Sequence, residues 1–360
     1  MSINKWINEM DILRGIAILA VVAIHVSYYF YNINPINTLA HINIIIYVFS
    51  QFAVPLFIFI SGYVLSNKYY DTFSLKHFYA ARARSILPSY IIFSIFYTSY
   101  PAFYHHKIPT TSEIIHNIFS GESVYTFWFF ILIMQLYILY PIIIKIYKLF
   151  EDYDKSKQLL LFTLLAQIAY IIIATLQGIH SEWSLFISYV FYFLLGIYAD
   201  KNTNAFPYTK YAFISSIIIT FFIYRTWVEG IVKYGTAESI PAPYFLISNA
   251  MQPLLYSTII ISLYNCVRYS ESLTLKALGN YSFGIYLIHI FFMNIIVLLF
   301  RTINLSANNP LFYILLFVTT VLLSYIAVGI MIRIPFGDIL MNAKIAPNQP
   351  EKKSMQESGR

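Results

Sequence analysis

Apolar residues run along this chain in blocks of about twenty, separated by short polar connections. A bilayer core about 30 Å thick is crossed by about 20 apolar residues in a helix. Ten runs meet that length, at approximately 12–31, 42–65, 86–103, 127–147, 158–176, 184–200, 211–228, 244–267, 281–300 and 310–333. The sixth is the shortest, and His180, Glu182 and Trp183 crowd its start. The first run is followed by no small-residue cleavage site, so it reads as a span rather than a cleavable signal. No soluble domain fits between any two runs. The pattern therefore predicts an all-α, polytopic transmembrane bundle over residues 1–335. Residues 336–360, polar and carrying Lys352, Lys353 and Arg360, are expected to be a disordered cytoplasmic tail.

Composition agrees with lipid as the solvent. Of 360 residues, 59% are hydrophobic and only 11% are charged, against about 25% charged in soluble domains. A single cysteine, Cys266, excludes an internal disulfide framework and a cysteine-based metal site. The net charge of +7 sits in short loops between apolar runs and is no footprint for nucleic acid. It sets orientation instead. With the N-terminus inside, the outer loops hold only Lys107, Arg225, Lys233 and Arg301 out of 23 Lys and Arg. Ten spans with both termini cytoplasmic preserve that bias, whereas one span more or fewer reverses every later loop.

Ionisable residues within spans are few, and such residues usually face a bundle interior or a cavity. Arg14 and His25 lie eleven positions apart in the first run, three turns plus about 20°, so both project from one helix face. His25 then lies roughly 16 Å deeper than Arg14. Taken singly, Arg14 reads as a snorkelling anchor and His25 as an interhelical hydrogen-bonding group. On one face they also combine a cation at a cavity mouth with a titratable base inside it, and imidazole suits proton transfer near neutral pH. Arg82 and Arg84, before the third span, read either as positive-inside charges or, with Arg14, as a cluster for a nucleotide cofactor's phosphates. No Gly-rich phosphate loop is present to compete. His289 in the ninth run reads first as a structural hydrogen-bond partner, and Gln51, Ser61, Gln135 and Asn294 as interhelical contacts, with Gly62 permitting close helix approach. The His105–His106 pair has no nearby carboxylate or third ligand in the sequence, so no metal site is expected. Neither a Ser-His-Asp arrangement nor a His-Glu-x-x-His helix appears.

Five segments in order carry a resemblance. They are Glu9 to His25, with its arginine, ten residues, then histidine; Phe52 to Leu65, ending an apolar run in Ser61-Gly62; Arg82 and Arg84 before Pro88; Trp128 followed by Tyr137 and Pro141; and Asn280-Tyr-Ser282 to Tyr286-Leu-Ile-His289. Together they resemble the acyltransferase-3 family of bacterial membrane proteins over nearly the whole chain. The resemblance implies transfer of an acyl group, commonly acetyl from acetyl-CoA, onto a hydroxyl of a cell-envelope carbohydrate. It implies that Arg14 and His25 are essential, with one arginine of the Arg82/Arg84 pair assisting, and places the protein in the bacterial cytoplasmic membrane. Some members carry a fused esterase-like domain, for which this chain is expected to have no room.

The expected mechanism follows. Acyl-CoA, a substrate rather than a resident cofactor, enters from the cytoplasm with its phosphates on Arg14 and Arg82 or Arg84. His25 acts as general base on the acceptor hydroxyl or carries the acyl group itself, and Ser61, Tyr286 or His289 supports it. The expected partners are membrane lipid, a carbohydrate acceptor, and glycan-synthase or export machinery. Two other classes stay open: a transporter or flippase for a polysaccharide or lipid-linked glycan, and a structural subunit of a glycan synthase. The lack of an obvious internal repeat and the concentration of polar residues in the first three spans favour the enzyme.

Overall fold

The protein is described from a computed structural model, which covers residues 3–32, 37–71, 73–101, 108–178, 185–202, 204–235 and 239–343. These residues form helices and short turns with no strand among them. In chain order the helices are α1 (Ile3–Ser27), α2 (Thr38–Ser50), α3 (Ala53–Tyr69), α4 (Leu75–Ser99), α5 (Thr111–Ser120), α6 (Trp128–Asp152), α7 (Ser156–Gln177), α8 (Val190–Lys201), α9 (Thr209–Tyr234), α10 (Leu246–Val267), α11 (Leu273–Thr302), α12 (Pro310–Met331) and α13 (Gly337–Met341).

Eight helical stretches are long and apolar enough to cross a membrane: Glu9–Phe30, Thr38–Tyr69, Trp128–Asp152, Ser156–Gln177, Thr209–Tyr234, Ala242–Val267, Leu273–Thr302 and Pro310–Met331. They coincide with eight of the ten expected runs. The second is not one helix, since α2 and α3 are separated by a turn at Gln51 and Phe52. The other two expected spans differ in kind. The third lies in α4, which is 25 residues long but begins with a polar stretch bearing Lys76, His77, Arg82 and Arg84. The sixth, expected over 184–200, resolves into a 3₁₀ turn at Phe186–Ser188 and then the 12 residues of α8. A helix of that length rises about 18 Å, short of the bilayer core. Its residues Phe191 to Ala199 are all buried, and a helix apolar on every side is one enclosed by others. Its hydrophobicity serves protein packing rather than contact with lipid.

Two crossings organise the bundle. Helix α1 packs along α11, and α3 along α8. At the first, a Cβ on Gly15 would stand 2.1 Å from the Leu275 carbonyl oxygen, and one on Gly279 only 1.8 Å from that of Asp11. The second is built the same way, with Gly62 against the Phe193 carbonyl and Gly196 against that of Phe59, each at 2.1 Å from a notional Cβ. Gly62 thus takes the close-approach role expected of it. Glycine pairs of this kind let backbones meet where no difference in solvent drives two apolar helices together.

Tyrosine hydroxyls tie the remaining helices to this frame by donating to carbonyls of neighbouring elements. Tyr97 of α4 bonds Leu287 of α11 at 2.8 Å, Tyr140 of α6 bonds Leu65 of α3 at 3.0 Å, and Tyr90 of α4 bonds Ile118 of α5 at 2.6 Å. On the face bearing Arg14, Asp200 of α8 accepts from Ser66 at 2.8 Å and Asn67 at 3.0 Å.

The beginning of the expected disordered tail is instead folded. After Phe336, in the left-handed region at φ 64°, the chain forms α13 and reverses again at Asn342, φ 44°. Met341 is fully buried against Gly284, and the Leu340 carbonyl accepts from Ser89 at 2.7 Å. Burial of one methionine and this bond to α4 outweigh the polar composition that suggested disorder. Residues 344–360 lie outside the described residues.

The two kinds of glycine site can be told apart experimentally. Gly279→Ala is expected to destabilise by about 1–3 kcal/mol or more, because backbone must shift. At Gly329, where a Cβ would meet only the Tyr281 ring at 3.7 Å, alanine is expected to change stability by no more than about 0.5 kcal/mol. Thermal unfolding of the two variants in detergent is the check, and equal Tm values would contradict the α1/α11 crossing.

Candidate active site

Two cavities lie in the interior and share one wall residue, Tyr286 of α11. The first, about 570 Å³, is lined by Arg14 of α1, Ser61 of α3, Arg82 of α4, Tyr137 of α6 and Ser282 of α11. Asn342 and Ala343 close one side of it, so the folded tail segment contributes wall as well as anchorage.

The two arginines are held differently. Arg14 Nη1 donates to Asp11 Oδ1 at 2.5 Å, one helical turn back, with a third of its side chain exposed. Carboxylate and guanidinium fix each other and leave donors of the planar fork free for a second anion. The Arg82 guanidinium lies over two rings, 5.9 Å from the Tyr69 centroid and 5.7 Å from that of Tyr137. Its Nε is buried without a hydrogen-bond partner. A buried, unsatisfied donor on a cation is costly unless an anion or water completes it, and the rings hold it facing the cavity by cation–π attraction. Arg84 is exposed and does not line this cavity. Two residues apart on a helix, the pair is separated by about 200°, so only one can face inward.

Ser61 does line the same cavity, but its hydroxyl donates to the Phe57 carbonyl of its own helix at 2.9 Å. It is thereby placed beside Arg14, not beside His25.

The second cavity, about 710 Å³, contains His25 of α1, Tyr47 of α2, Gln51 at the α2/α3 turn, Tyr125 in the connection before α6, Trp128 at the start of α6, and Asn294 of α11. Gln51 and Asn294 therefore face a cavity, in contrast to the interhelical contacts expected of them. Gln135 does act as such a contact, accepting from the Phe186 backbone N–H at 3.1 Å. The His25 ring is 5.2 Å from that of Tyr125, edge-on, and 5.4 Å from that of His289.

His289 is completely buried. Its Nδ1 donates to the Tyr286 carbonyl at 2.8 Å, with the Ile285 carbonyl at 3.2 Å. Carbonyls only accept, so the proton is on Nδ1 and the lone pair on Nε2, which has no partner. The result is a histidine of fixed tautomer with a bare acceptor nitrogen, packed beside His25. Tyr286, three residues before it, donates its hydroxyl to the Thr126 carbonyl and packs on Phe129 and Phe130 at 5.3 and 5.6 Å. The hydroxyl is thus engaged in closing the wall between the cavities.

Arg14 and His25, predicted to share a face of α1, each line one of two cavities that meet at Tyr286. Tyr125 and Tyr47 were not singled out in the sequence. Tyr125 lies in a connection with no periodicity to mark it. Tyr47 is one helical turn before Gln51, a spacing that could have placed the two side by side. Among the described residues no group of three His, Cys, Asp or Glu is placed to hold a metal ion, and His105–His106 lie outside them.

No curated protein and no solved structure matches the chain. A family model for an acyltransferase domain matches residues 7–329, which takes in both cavities apart from the closing segment at Asn342 and Ala343. On that match the chain belongs to the acyltransferase-3 family of membrane acyltransferases.

Proposed function

We propose that the protein moves an acyl group, acetyl first among them, from acyl-CoA on the cytoplasmic face to a hydroxyl of a cell-envelope or extracellular polysaccharide, in the cytoplasmic membrane of a bacterium. The observation that carries this reading is the pair of cavities on either side of Tyr286, one holding Arg14 and Arg82 and the other holding His25. A donor with an anionic head and a nearly neutral thioester end suits such a division. The phosphates stay with the arginines, where bidentate guanidinium contacts are strong, and the pantetheine arm covers the roughly 16 Å rise from Arg14 to His25.

In the transfer step, neutral His25 takes the proton of the acceptor hydroxyl as that oxygen attacks the thioester carbonyl. The tetrahedral intermediate collapses with cleavage of the C–S bond, and the departing thiolate takes the proton back from His25 to leave free CoA. His289, with a bare lone pair on Nε2 and its ring 5.4 Å from that of His25, orients His25 by accepting from it once that ring turns toward Nε2, as the third group of a catalytic constellation orients its base. Tyr286 releases Thr126 when the acyl group passes, and its hydroxyl then donates to the developing oxyanion. Ser61 lies on the donor's path beside Arg14, and Arg84 contributes to the positive face rather than to the donor contacts. Among the described residues no Lys or Arg lines the cavity of His25, which favours acetyl over a carboxylate-bearing acyl group such as succinyl.

His25→Ala is expected to lower ester-linked acetate on envelope glycans, and transfer by purified protein, by about 10²-fold or more at unchanged abundance in the membrane. Undiminished esterification would remove His25 from the chemistry. A flippase would leave acetyl-CoA intact in the same assay.

The arginines make a separate prediction. Arg14→Ala and Arg82→Ala are each expected to weaken acetyl-CoA binding by about 10-fold or more, the worth of a charge-assisted hydrogen bond. Arg84→Ala should change it by less than about twofold. Titration of the three variants with acetyl-CoA decides, and equal losses at Arg82 and Arg84 would contradict the assignment.

A further inference from the structure

The charge of a cavity wall limits what can enter it. Among the described residues, the wall of the His25 cavity contains no Asp, Glu, Lys or Arg. It presents the rings of Tyr28, Tyr29, Tyr47, Tyr125 and Trp128, and between them the amides of Gln51 and Asn294. Arg301 stands at the exposed end of α11, but it is not part of the wall. The contrast with the neighbouring cavity, which has two arginines, is complete.

From this we infer that the sugar residue receiving the acyl group is uncharged, a neutral hexosyl or similar unit rather than a uronate or a phosphorylated sugar. The inference rests on the acyl-transfer reading and adds to it the class of acceptor. A carboxylate or phosphate moved from water into a membrane-embedded cavity loses its hydration and needs a fixed countercharge in return. This wall offers neutral hydroxyl, indole and amide donors but no fixed countercharge, and such donors alone do not replace the hydration of an ion. A neutral sugar needs less, because its C–H faces lie against aromatic rings and its hydroxyls both donate and accept, as do the Gln51 and Asn294 amides. The volume of about 710 Å³ is in the range of sites that enclose small ligands, roughly 300–1,000 Å³. Tyr28 and Tyr125, about half exposed at 47% and 56%, stand at the mouth. Charged groups on sugars further along the polymer remain outside it, near Arg301, and are not selected against.

The test uses the purified full chain in lipid nanodiscs, acetyl-CoA labelled in the acetyl group, and matched pairs of short oligosaccharides. Neutral gluco- and galacto-oligosaccharides are compared with the uronic oligosaccharides of the same linkage. Transfer to the neutral member is expected to exceed transfer to its uronic partner by about 10-fold or more in kcat/KM. Asn294→Lys, at a position exposed to the cavity, supplies the missing countercharge and should shift that ratio toward the uronic member by a similar factor. Equal or preferential transfer to uronic acceptors by the wild type, no shift in Asn294→Lys, or transfer to neither class would each overturn the assignment. Binding of acetyl-CoA without any glycan reports the donor half alone. If acetyl-CoA does not bind in that control, the acyl-transfer reading itself is overturned, and if it binds and the acyl group is transferred without selectivity, only the neutral acceptor is.

Discussion

The backbone contact between α1 and α11 at Gly15 and Gly279 is the constraint on which the site depends. A notional Cβ at either glycine would overlap a carbonyl of the facing helix, so the two axes can approach this closely only where side chains are absent. That approach brings the His25 ring within 5.4 Å of the His289 ring and sets Arg14 in the same cavity as Ser282 and Tyr286. In water, hydrophobic burial would press two such helices together over a wide range of separations. In lipid the drive comes from close packing itself, so separation and register are set by where the small residues lie. The chemistry of α1 and the chemistry of α11 become one site because of two missing side chains.

A second constraint is that polar groups at membrane depth must find partners within the protein. This gives the tyrosines a reason beyond bulk. Tyr90, Tyr97, Tyr140 and Tyr286 each present a ring to the packed interior and a hydroxyl to a neighbouring carbonyl. Two of the buried polar atoms left without a partner stand at the cavities. Arg82 Nε and His289 Nε2 are both buried and unpartnered, a cationic donor in one chamber's lining and a neutral acceptor behind the other. Native interiors rarely retain such atoms without use.

What could be read from the sequence follows from which physical signal each feature leaves. Apolar runs leave a strong one, and eight of the ten expected spans are helices of the right length and composition. The shared face of Arg14 and His25 is pure helical geometry. The length of α8 was not legible, because a run enclosed by protein and a run exposed to lipid are equally hydrophobic, and only the contacts of Phe191 to Ala199 distinguish them. Nor was the fold of Gly337–Met341, where one buried methionine is hidden in polar composition. The choice between Arg82 and Arg84 was available from the 200° between them but needed a direction for the cavity. That direction comes from Tyr69 and Tyr137, distant in sequence.

The two cavities also explain why the wall between them is a tyrosine held by a carbonyl. On the proposed reading, a thioester open to the His25 chamber would lose its acyl group to water if the chambers were continuous, and sequestering a reactive group is a recognised use of closed sites. With its hydroxyl on Thr126, Tyr286 separates the chamber lined by Arg14 and Arg82 from the one lined by His25, which holds no Lys, Arg, Asp or Glu among the described residues. The bond is to a backbone carbonyl on the segment leading into α6, next to Tyr125, whose ring touches His25. A ligand that displaces Tyr125 therefore acts on the same short segment that holds Tyr286. The Tyr125 ring, the Thr126 carbonyl and the Tyr286 hydroxyl thus form one continuous set of contacts from His25 to the wall between the cavities.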